Sequence, residues 1–162
     1  MFEREAKLYL YMMGMCRRLA SDIEPALLDH QPAPGIKAPL WVLGHLAICT
    51  DYAARMLKLD LACPADWHAN FGPKTSAVVP ASVRPTKERL LAAMETGHER
   101  VTAAVAIASA EDLARPHGVE LLKDTPLETR ADVLAHLMTT HEAFHLGQLS
   151  TWRRQMGFAP LF

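Results

Sequence analysis

The segment HEAFHLGQ, residues 141–148, lies inside a long run of helical periodicity between about residues 130 and 156. An α-helix turns by about 100° per residue, so two side chains four positions apart project from one face, one turn apart. His141 and His145 have this spacing, and Gln148 shares their face. Most of the intervening residues are apolar or small, which predicts burial, and buried imidazoles need a polar partner. A divalent metal ion would satisfy both rings.

Three further segments have apolar residues at spacings of three and four, the pattern of an amphipathic helix. Their predicted limits are about 3–28, 40–59 and 86–108. With the segment around His141 they make four helices, and the sequence has no convincing strand, repeat or low-complexity tract. The sequence therefore predicts an all-α fold, a four-helix bundle that forms a single domain over residues 1–162.

Local signals support these helix limits. Pro39 suits the first turn of the second helix, where its missing N–H costs nothing. Thr86 is a candidate N-cap for the third helix, and Thr129 with Asp132 approximates a capping box for the fourth.

Long connections join helix 2 to helix 3 and helix 3 to helix 4, at about residues 61–84 and 109–128. They leave room for a helix order other than simple up-down-up-down. The first connection carries Trp67 and Phe71, so we expect it to pack down over the bundle.

Composition excludes several classes of function. The chain has 162 residues, of which 50% are hydrophobic and 22% charged, with a net charge of −1. This net charge does not indicate binding to nucleic acid or to an anionic membrane. Three cysteines without a CxxC pair indicate neither a disulfide framework nor a zinc ribbon. No signal-peptide or membrane-spanning pattern is found, so we expect a cytoplasmic protein with no nucleic-acid or membrane partner.

Two histidines make an incomplete metal site, and the second helix offers a third candidate. His45 lies near the middle of its apolar face, which Trp41 and Tyr52 share as candidate lining residues. Helical bundles build metal sites from inward side chains on facing helices, and three imidazoles are a ligand set of catalytic zinc sites. His98 lies on another apolar stripe, either as a fourth ligand or, the interpretation we favour, as a core histidine. The other four histidines are expected to face solvent: His30, His68, His117 and His136.

Two alternatives compete for the histidine pair. HEAFH matches the HExxH signature of metalloproteases, but no Asp, Glu or His follows His145. The extended form of that signature would need other residues where Gln148 and Thr151 stand, so a protease is disfavoured. The pair could also be two satisfied core histidines without a metal. The inward His45 and the co-facing Gln148 make this alternative less attractive.

The element GHLA at residues 44–47, followed by HEAFHLGQ, resembles the DinB/YfiT-like superfamily, and the loop DWHANFG at residues 66–72 is similar to its W…FG connection. The resemblance spans nearly the whole chain. It implies a four-helix bundle, usually a homodimer, with a metal held by three histidines, here His45, His141 and His145. Three imidazoles suit zinc, nickel, iron or manganese.

Characterised members of this superfamily include bacillithiol S-transferases and mycothiol-dependent maleylpyruvate isomerases. The resemblance therefore implies a metal-dependent enzyme in which the metal activates a thiol or water toward a small-molecule substrate, with a low-molecular-weight thiol as a further cofactor. Gln148 is expected to orient the incoming group, and Glu142 is a candidate base or a solvated surface residue. The alternatives are a metal-dependent hydrolase and a non-catalytic, metal-stabilised dimeric binding bundle.

Overall fold

The computed structural model describes residues 2–76 and 78–161. These residues are helical, with short 3₁₀ turns in the connections and no strand beyond an isolated bridge between Pro116 and Thr129. The helices are α1 Glu3–Ala20, α2 Pro39–Met56, α3 Ala65–Phe71, α4 Lys87–Ile107, α5 Ala110–Leu113, α6 Arg130–His136 and α7 Glu142–Gln155. A π-helical turn, Leu137–His141, joins α6 to α7 in one continuous rod. The predicted all-α class is confirmed.

Four helical rods make the bundle: α1, α2, α4 and the rod that ends in α7. Helix α4 packs against both α1 and α2, and α7 also packs against both. The first two long helices therefore lie diagonally across the bundle, although they follow one another in the chain. This order departs from simple up-down-up-down succession, as the long connections allow, and the predicted four-helix bundle is confirmed.

Helix α2 is the most enclosed element of the bundle. Its residues are all buried except Tyr52, which is half-buried, and Arg55, which is exposed. The sequence predicted a single inward face for this helix, which is too narrow, because α3 from the long connection covers a further side. Helix α4 also approaches α2 closely at Gly97. A Cβ there would lie 2.2 Å from the Thr50 hydroxyl oxygen, so only glycine allows this approach.

The first helix ends at Ala20 rather than near residue 28, so its predicted limit is wrong. Pro25 disfavours the helical conformation for the residue before it, and Glu24 is extended, with φ −67° and ψ 148°. The Ser21 hydroxyl also donates to the Arg18 carbonyl at 2.9 Å, a local bond that competes with the helix. The other predicted ends lie within a turn of the observed ones.

The predicted helix caps are confirmed. The Thr86 hydroxyl accepts from the Arg89 N–H at 3.2 Å. Thr129 and Asp132 form a complete capping box, in which each side chain accepts from the other residue's backbone N–H. Pro39 occupies the first turn of α2.

The π-helical turn is the feature of the last helix that its sequence pattern does not predict. Thr139 and Thr140 lie within it, and their hydroxyls donate to the carbonyls of Ala135 and His136. Such side-chain bonds compete with the helical hydrogen-bond ladder and bend helices. A π turn admits one extra residue, so His136 and His141, five apart, lie on the same side.

A buried arginine ties α7 to the end of α1. Arg153 is 3% exposed and donates to the Leu19 carbonyl at 2.8 Å. Both of its terminal nitrogens also donate to the carboxylate of Asp22. Paired planar groups of this kind fix orientation as well as distance, so the pair sets how α7 is placed against α1.

Candidate metal centre

His45 from α2, His141 from the π turn and His145 from α7 meet between the two helices. Each ring offers one nitrogen, and the three nitrogens lie within 4.8 Å of one another. The Nε2 atoms of His45 and His141 are 3.4 Å apart. In the parts of the chain that the structure describes, no other trio of histidine, cysteine or acidic residues is grouped so closely. The three histidines singled out in the sequence are therefore brought together.

The spacing of the rings fits a single ion. Two nitrogens on a tetrahedral zinc ion, each at about 2.0–2.1 Å, are about 3.4 Å apart. The observed Nε2–Nε2 distance between His45 and His141 is 3.4 Å. The third ring lies close to both, with ring centroids 4.5 Å from His45 and 4.6 Å from His141.

Two of the rings are oriented by hydrogen bonds from their outer nitrogens. His45 Nδ1 lies 2.7 Å from the Phe71 carbonyl oxygen, and His145 Nδ1 lies 2.9 Å from the Gln148 side-chain oxygen. Because these oxygens can only accept, each Nδ1 carries the proton and donates it. The Nε2 lone pairs of His45 and His145 then face the cluster, the arrangement of metal-ligating histidines.

The third ring is left with an unsatisfied atom. His141 Nδ1 is buried and has no hydrogen-bond partner in the described residues. If its proton sits on Nδ1, the lone pairs of His141 and His45 face each other at 3.4 Å. If the proton sits on Nε2, the Nδ1 lone pair is buried without a donor. A buried unpaired polar atom is destabilising, and a cation between the Nε2 atoms removes the lone-pair repulsion. The residues present therefore fit a divalent metal.

Burial keeps these rings neutral. Burial, with a smaller effect of the neighbouring histidines, lowers the pKa of His141 to about 3. Burial also lowers the pKa of His145 to about 4, helped by His45, and it lowers the pKa of His45 itself. Neutral imidazole is the protonation state that binds metal, so near neutral pH no proton competes at this cluster.

The connection between α2 and α4 positions His45. Gly44 allows the Phe71 ring to pack against the α2 backbone, because a Cβ at this position would lie 2.4 Å from that ring. The fully buried Phe71 thus packs directly on α2, which brings its carbonyl to His45. Trp41 stacks on the His45 ring, with centroids 4.7 Å apart, and its indole donates to Thr75 at 3.0 Å.

The same connection is anchored at Asp51, almost two turns beyond His45 along α2. Asp51 is fully buried and accepts from the backbone N–H groups of Ala62 and Cys63 and from His68 Nε2 at 2.9 Å. The expectation that His68 faces solvent is therefore wrong. Trp67 and Phe71 are both buried, so the expectation that this connection packs over the bundle is confirmed.

Two other histidines also differ from the expectation of solvent exposure. His117 accepts from the Val119 N–H at 2.7 Å and donates to the Leu127 carbonyl at 2.8 Å, so it braces the connection before α6. His136 lies beside His141, with ring centroids 5.4 Å apart, because the π turn places both on one side. His30 is exposed, as predicted.

Glu142 and His98 form a separate polar pair inside the bundle. Glu142 is 2% exposed, which overturns the alternative that it is a surface residue, and its carboxylate lies 3.3 Å from His98 Nε2. Burial raises the pKa of Glu142, and His98 partly offsets this. The His98 ring stacks on Tyr9, with centroids 3.5 Å apart. His98 is thus a core histidine and lies outside the three-histidine group.

A cavity of about 430 Å³ opens beside the three histidines. Its walls are mainly apolar and come from α2, the π-helical rod and the connection before α6. Trp41 and Tyr52 line it, which confirms the lining residues expected from α2. Cys49 also lines it, with its sulfur 3.5 Å from His45 Nε2. Arg55 and His136 also line the cavity and were not expected from the sequence, because His136 depends on the π turn and Arg55 lies off the apolar stripe.

With this geometry in place, comparison with known proteins assigns the family. The sequence profile of the DinB superfamily matches residues 13–149, and the chain belongs to that superfamily. The resemblance seen in the sequence is thereby confirmed. No curated protein matches the chain significantly.

Two solved structures share the fold. One is the conserved protein of locus from Enterococcus faecalis, with a TM-score of 0.74 and 17% identity, covering 97% of this chain and 98% of that chain. The other is YfiT from Bacillus subtilis, described as a probable metal-dependent hydrolase with an unusual four-helix bundle topology. It has a TM-score of 0.68 and 18% identity, covering 97% of this chain and 88% of that chain. Among the described residues, no helix is both long and apolar enough to cross a membrane.

The lowered histidine pKa values predict how the metal-free protein responds to acid. An unfolded chain takes up protons at His141 and His145 below a pH of about 6.5, whereas the folded protein does not protonate these two rings until pH approaches 4, the value for His145. Since the unfolded state then binds more protons, the free energy of unfolding falls as pH drops through this window, by up to about 1.4 kcal/mol per pH unit for each ring. Urea unfolding in the presence of a chelator, at several pH values between 7 and 4.5, measures this dependence of the free energy of unfolding on pH.

Two variants isolate the contribution of the cluster to this slope. His145→Gln removes one of the three rings and should reduce the slope by about one proton. His30→Gln, at an exposed histidine, should leave the slope unchanged. Equal slopes for His145→Gln and the unmodified protein would show that burial of the cluster does not suppress protonation.

Proposed function

We propose that this protein is a metal-dependent enzyme in which His45, His141 and His145 hold one divalent ion and a small nucleophile, thiol or water, is activated beside it. One observation carries the proposal: three neutral imidazoles place their nitrogens within 4.8 Å of one another at the side of a 430 Å³ cavity. The description of YfiT as a probable metal-dependent hydrolase supports it, because that protein shares the fold.

A divalent ion with three imidazole ligands has a free position and supplies Lewis acidity, which lowers the pKa of a water or thiol that it binds. The ion class is that of zinc, nickel, iron or manganese, which imidazole nitrogen suits. The chain's own residues prepare the site. Phe71 and Gln148 fix the tautomers of two ligands, and the apolar cavity walls keep bulk water from the reacting groups.

Gln148 fits a positioning role, because its side-chain oxygen is already engaged by His145 Nδ1. Direct contact between Gln148 and the incoming group, expected from the sequence, stays a prediction. The same holds for Glu142 as a base. Its carboxylate contacts His98 in the bundle interior, and it is not among the residues that line the cavity. We propose that the Glu142–His98 pair fixes the rotation of α7, so that His141 and His145 both face α2.

Our leading assignment is a thiol-dependent transferase, in which a low-molecular-weight thiol is the nucleophile and a small electrophile is the substrate. A metal-dependent hydrolase that uses water is the second candidate, and the description of YfiT favours it. A non-catalytic metal-stabilised bundle is the third. A homodimer stays a prediction; the exposure of Leu8, Leu10 and Tyr11 on α1 supports it.

Metal content tests the ligand set directly. After loading with Zn²⁺ or Ni²⁺ and gel filtration, the protein should retain about one ion per chain. His145→Ala should bind the ion at least about 100-fold more weakly, since loss of a mere supporting contact already costs 10–100-fold. Mass spectrometric metal analysis and calorimetric titration measure both quantities. His30→Ala is the matched control and should bind as the unmodified protein does. If His145→Ala retained the full metal content with unchanged affinity, this ligand set would be wrong.

Two glycine substitutions test whether Phe71 positions His45. Gly44→Ala pushes the Phe71 ring away from α2, since the new Cβ would lie 2.4 Å from it. We expect a loss of about 1–3 kcal/mol in stability and about 10–100-fold in metal affinity. Gly97→Ala creates a similar clash with Thr50 on the α4 side of α2 and should lose stability with little change in metal affinity. If both variants kept their metal affinity, the Phe71 carbonyl would have no part in orienting His45.

Turnover assays separate the three candidate functions. With the metal-loaded protein, a panel of small electrophiles is tested with and without low-molecular-weight thiols. Product formation that requires a thiol and is lost in His145→Ala supports the transferase. Hydrolysis without added thiol supports the second candidate. A thermal shift on metal addition with no turnover anywhere in the panel would favour the non-catalytic bundle.

A further inference from the structure

The cavity beside the histidines has one cationic residue at a distance from them. Tyr52 and Arg55 are the two residues of α2 that are not buried, and both line this cavity. Arg55 lies ten residues beyond His45, which corresponds to about 15 Å along a helix axis. The cavity therefore follows α2 from the three imidazoles to the guanidinium group.

Neither polar side chain at this end is satisfied by the protein. Within the described residues, the Arg55 guanidinium makes no ion pair or hydrogen bond, and the Tyr52 hydroxyl makes no hydrogen bond; the Tyr52 ring only tilts against His68, at 5.8 Å between centroids. The two residues are three apart on the helix and so are neighbours on its surface. Burial raises the pKa of Tyr52, and the Arg55 charge offsets part of this rise, as expected of a cation close to the hydroxyl.

The lining contains nothing that would compensate the guanidinium. No aspartate or glutamate lines the cavity among the described residues. Both polar groups at this end can donate hydrogen bonds, and a guanidinium can only donate. A paired arrangement of donors with one positive charge matches one carboxylate, which accepts two parallel bonds from a guanidinium.

The rest of the wall is apolar. The connection before α6 contributes Val119, Leu121 and Leu122, and the helical rod contributes Val133 and Leu137. His117 holds this connection in place through both of its ring nitrogens. Leu121 is 56% exposed, which places it at the rim. Apolar walls of this kind favour an apolar ligand body, because burying it removes hydrocarbon surface from water.

We propose that the substrate is an amphipathic monocarboxylate: its carboxylate binds Arg55 and Tyr52, its apolar body lies along α2, and its reacting group reaches the three histidines. The position of the reacting group rests on the proposed function of the three histidines. The carboxylate site depends only on Tyr52 and Arg55 of α2. Arg55 is then a specificity-determining residue, and a matching substrate spans about 10–15 Å.

Calorimetric titration of the metal-free protein with 4-phenylbutyrate and its neutral isostere 4-phenylbutyramide tests the carboxylate site. Without metal, the carboxylate has no cation to bind at the histidines. The acid should bind about 10-fold more tightly than the amide, the worth of one charge-assisted pair. Arg55→Gln should abolish this preference while leaving amide binding unchanged, and Arg55→Lys should retain part of it. Tyr52→Phe should reduce the preference by a smaller factor.

Arg4→Gln, at an exposed arginine of α1, is the matched control for the loss of one positive charge and should bind both probes as the unmodified protein does. Equal affinity for acid and amide, a preference that survives Arg55→Gln, or failure of either probe to bind would each overturn the inference. Metal content of Arg55→Gln, measured in parallel, should equal that of the unmodified protein. The two proposals can therefore fail separately. If the carboxylate site is wrong, metal binding is unaffected; if the metal site is wrong, the titration of the metal-free protein still tests the carboxylate site.

Discussion

Three neutral, mostly buried imidazoles converge between two helices, and one nitrogen of each lies within 4.8 Å of the others. This is the constraint on which the arrangement of the site depends. Burial lowers the pKa of His141 to about 3, so protonation cannot relieve the contact between its Nε2 and that of His45 near neutral pH. The protein supplies acceptors to the outer nitrogens of two rings and none to the third. A cation at the centre is the simplest partner for these lone pairs.

The packing around α2 orients His45 toward the other two histidines. Gly44 admits Phe71, Phe71 orients His45, and the buried Asp51 anchors the connection that carries Phe71. On the facing rod, the buried Glu142 follows His141 in sequence, and its carboxylate contacts His98 of α4 inside the bundle. The chain thus places a buried carboxylate and a close glycine contact beside the ligands. The buried carboxylate is hard to account for by core packing alone, since an apolar residue would fill the interior at lower cost.

Much of this arrangement could be predicted from the sequence because it depends on local periodicity. His141 and His145 share a face through their spacing alone, and His45 was identified by its place on an apolar stripe. The caps at Thr86 and Thr129 followed from short-range hydrogen-bond chemistry. The resemblance to the DinB superfamily, read from GHLA and HEAFHLGQ, implied the same three histidines, and the family match confirmed the resemblance.

The features that were missed depend on tertiary context. The π turn depends on Thr139 and Thr140 bonding to backbone carbonyls, and threonines are common in ordinary helices, so His136 could not be placed beside His141. Glu142 is charged and was expected to be solvated as one alternative; only the facing His98 of α4 explains its burial. His68 and His117 lie in connections whose contacts are non-local, and sequence spacing carries no signal for these.

The most direct test of the central claim is anomalous diffraction from crystals of the metal-loaded protein, recorded at the absorption edge of the bound ion. We expect one peak at about 2.0–2.1 Å from a ring nitrogen of each of His45, His141 and His145. A peak at any other place in the molecule, or three rings that remain without an ion among them after loading, would contradict it.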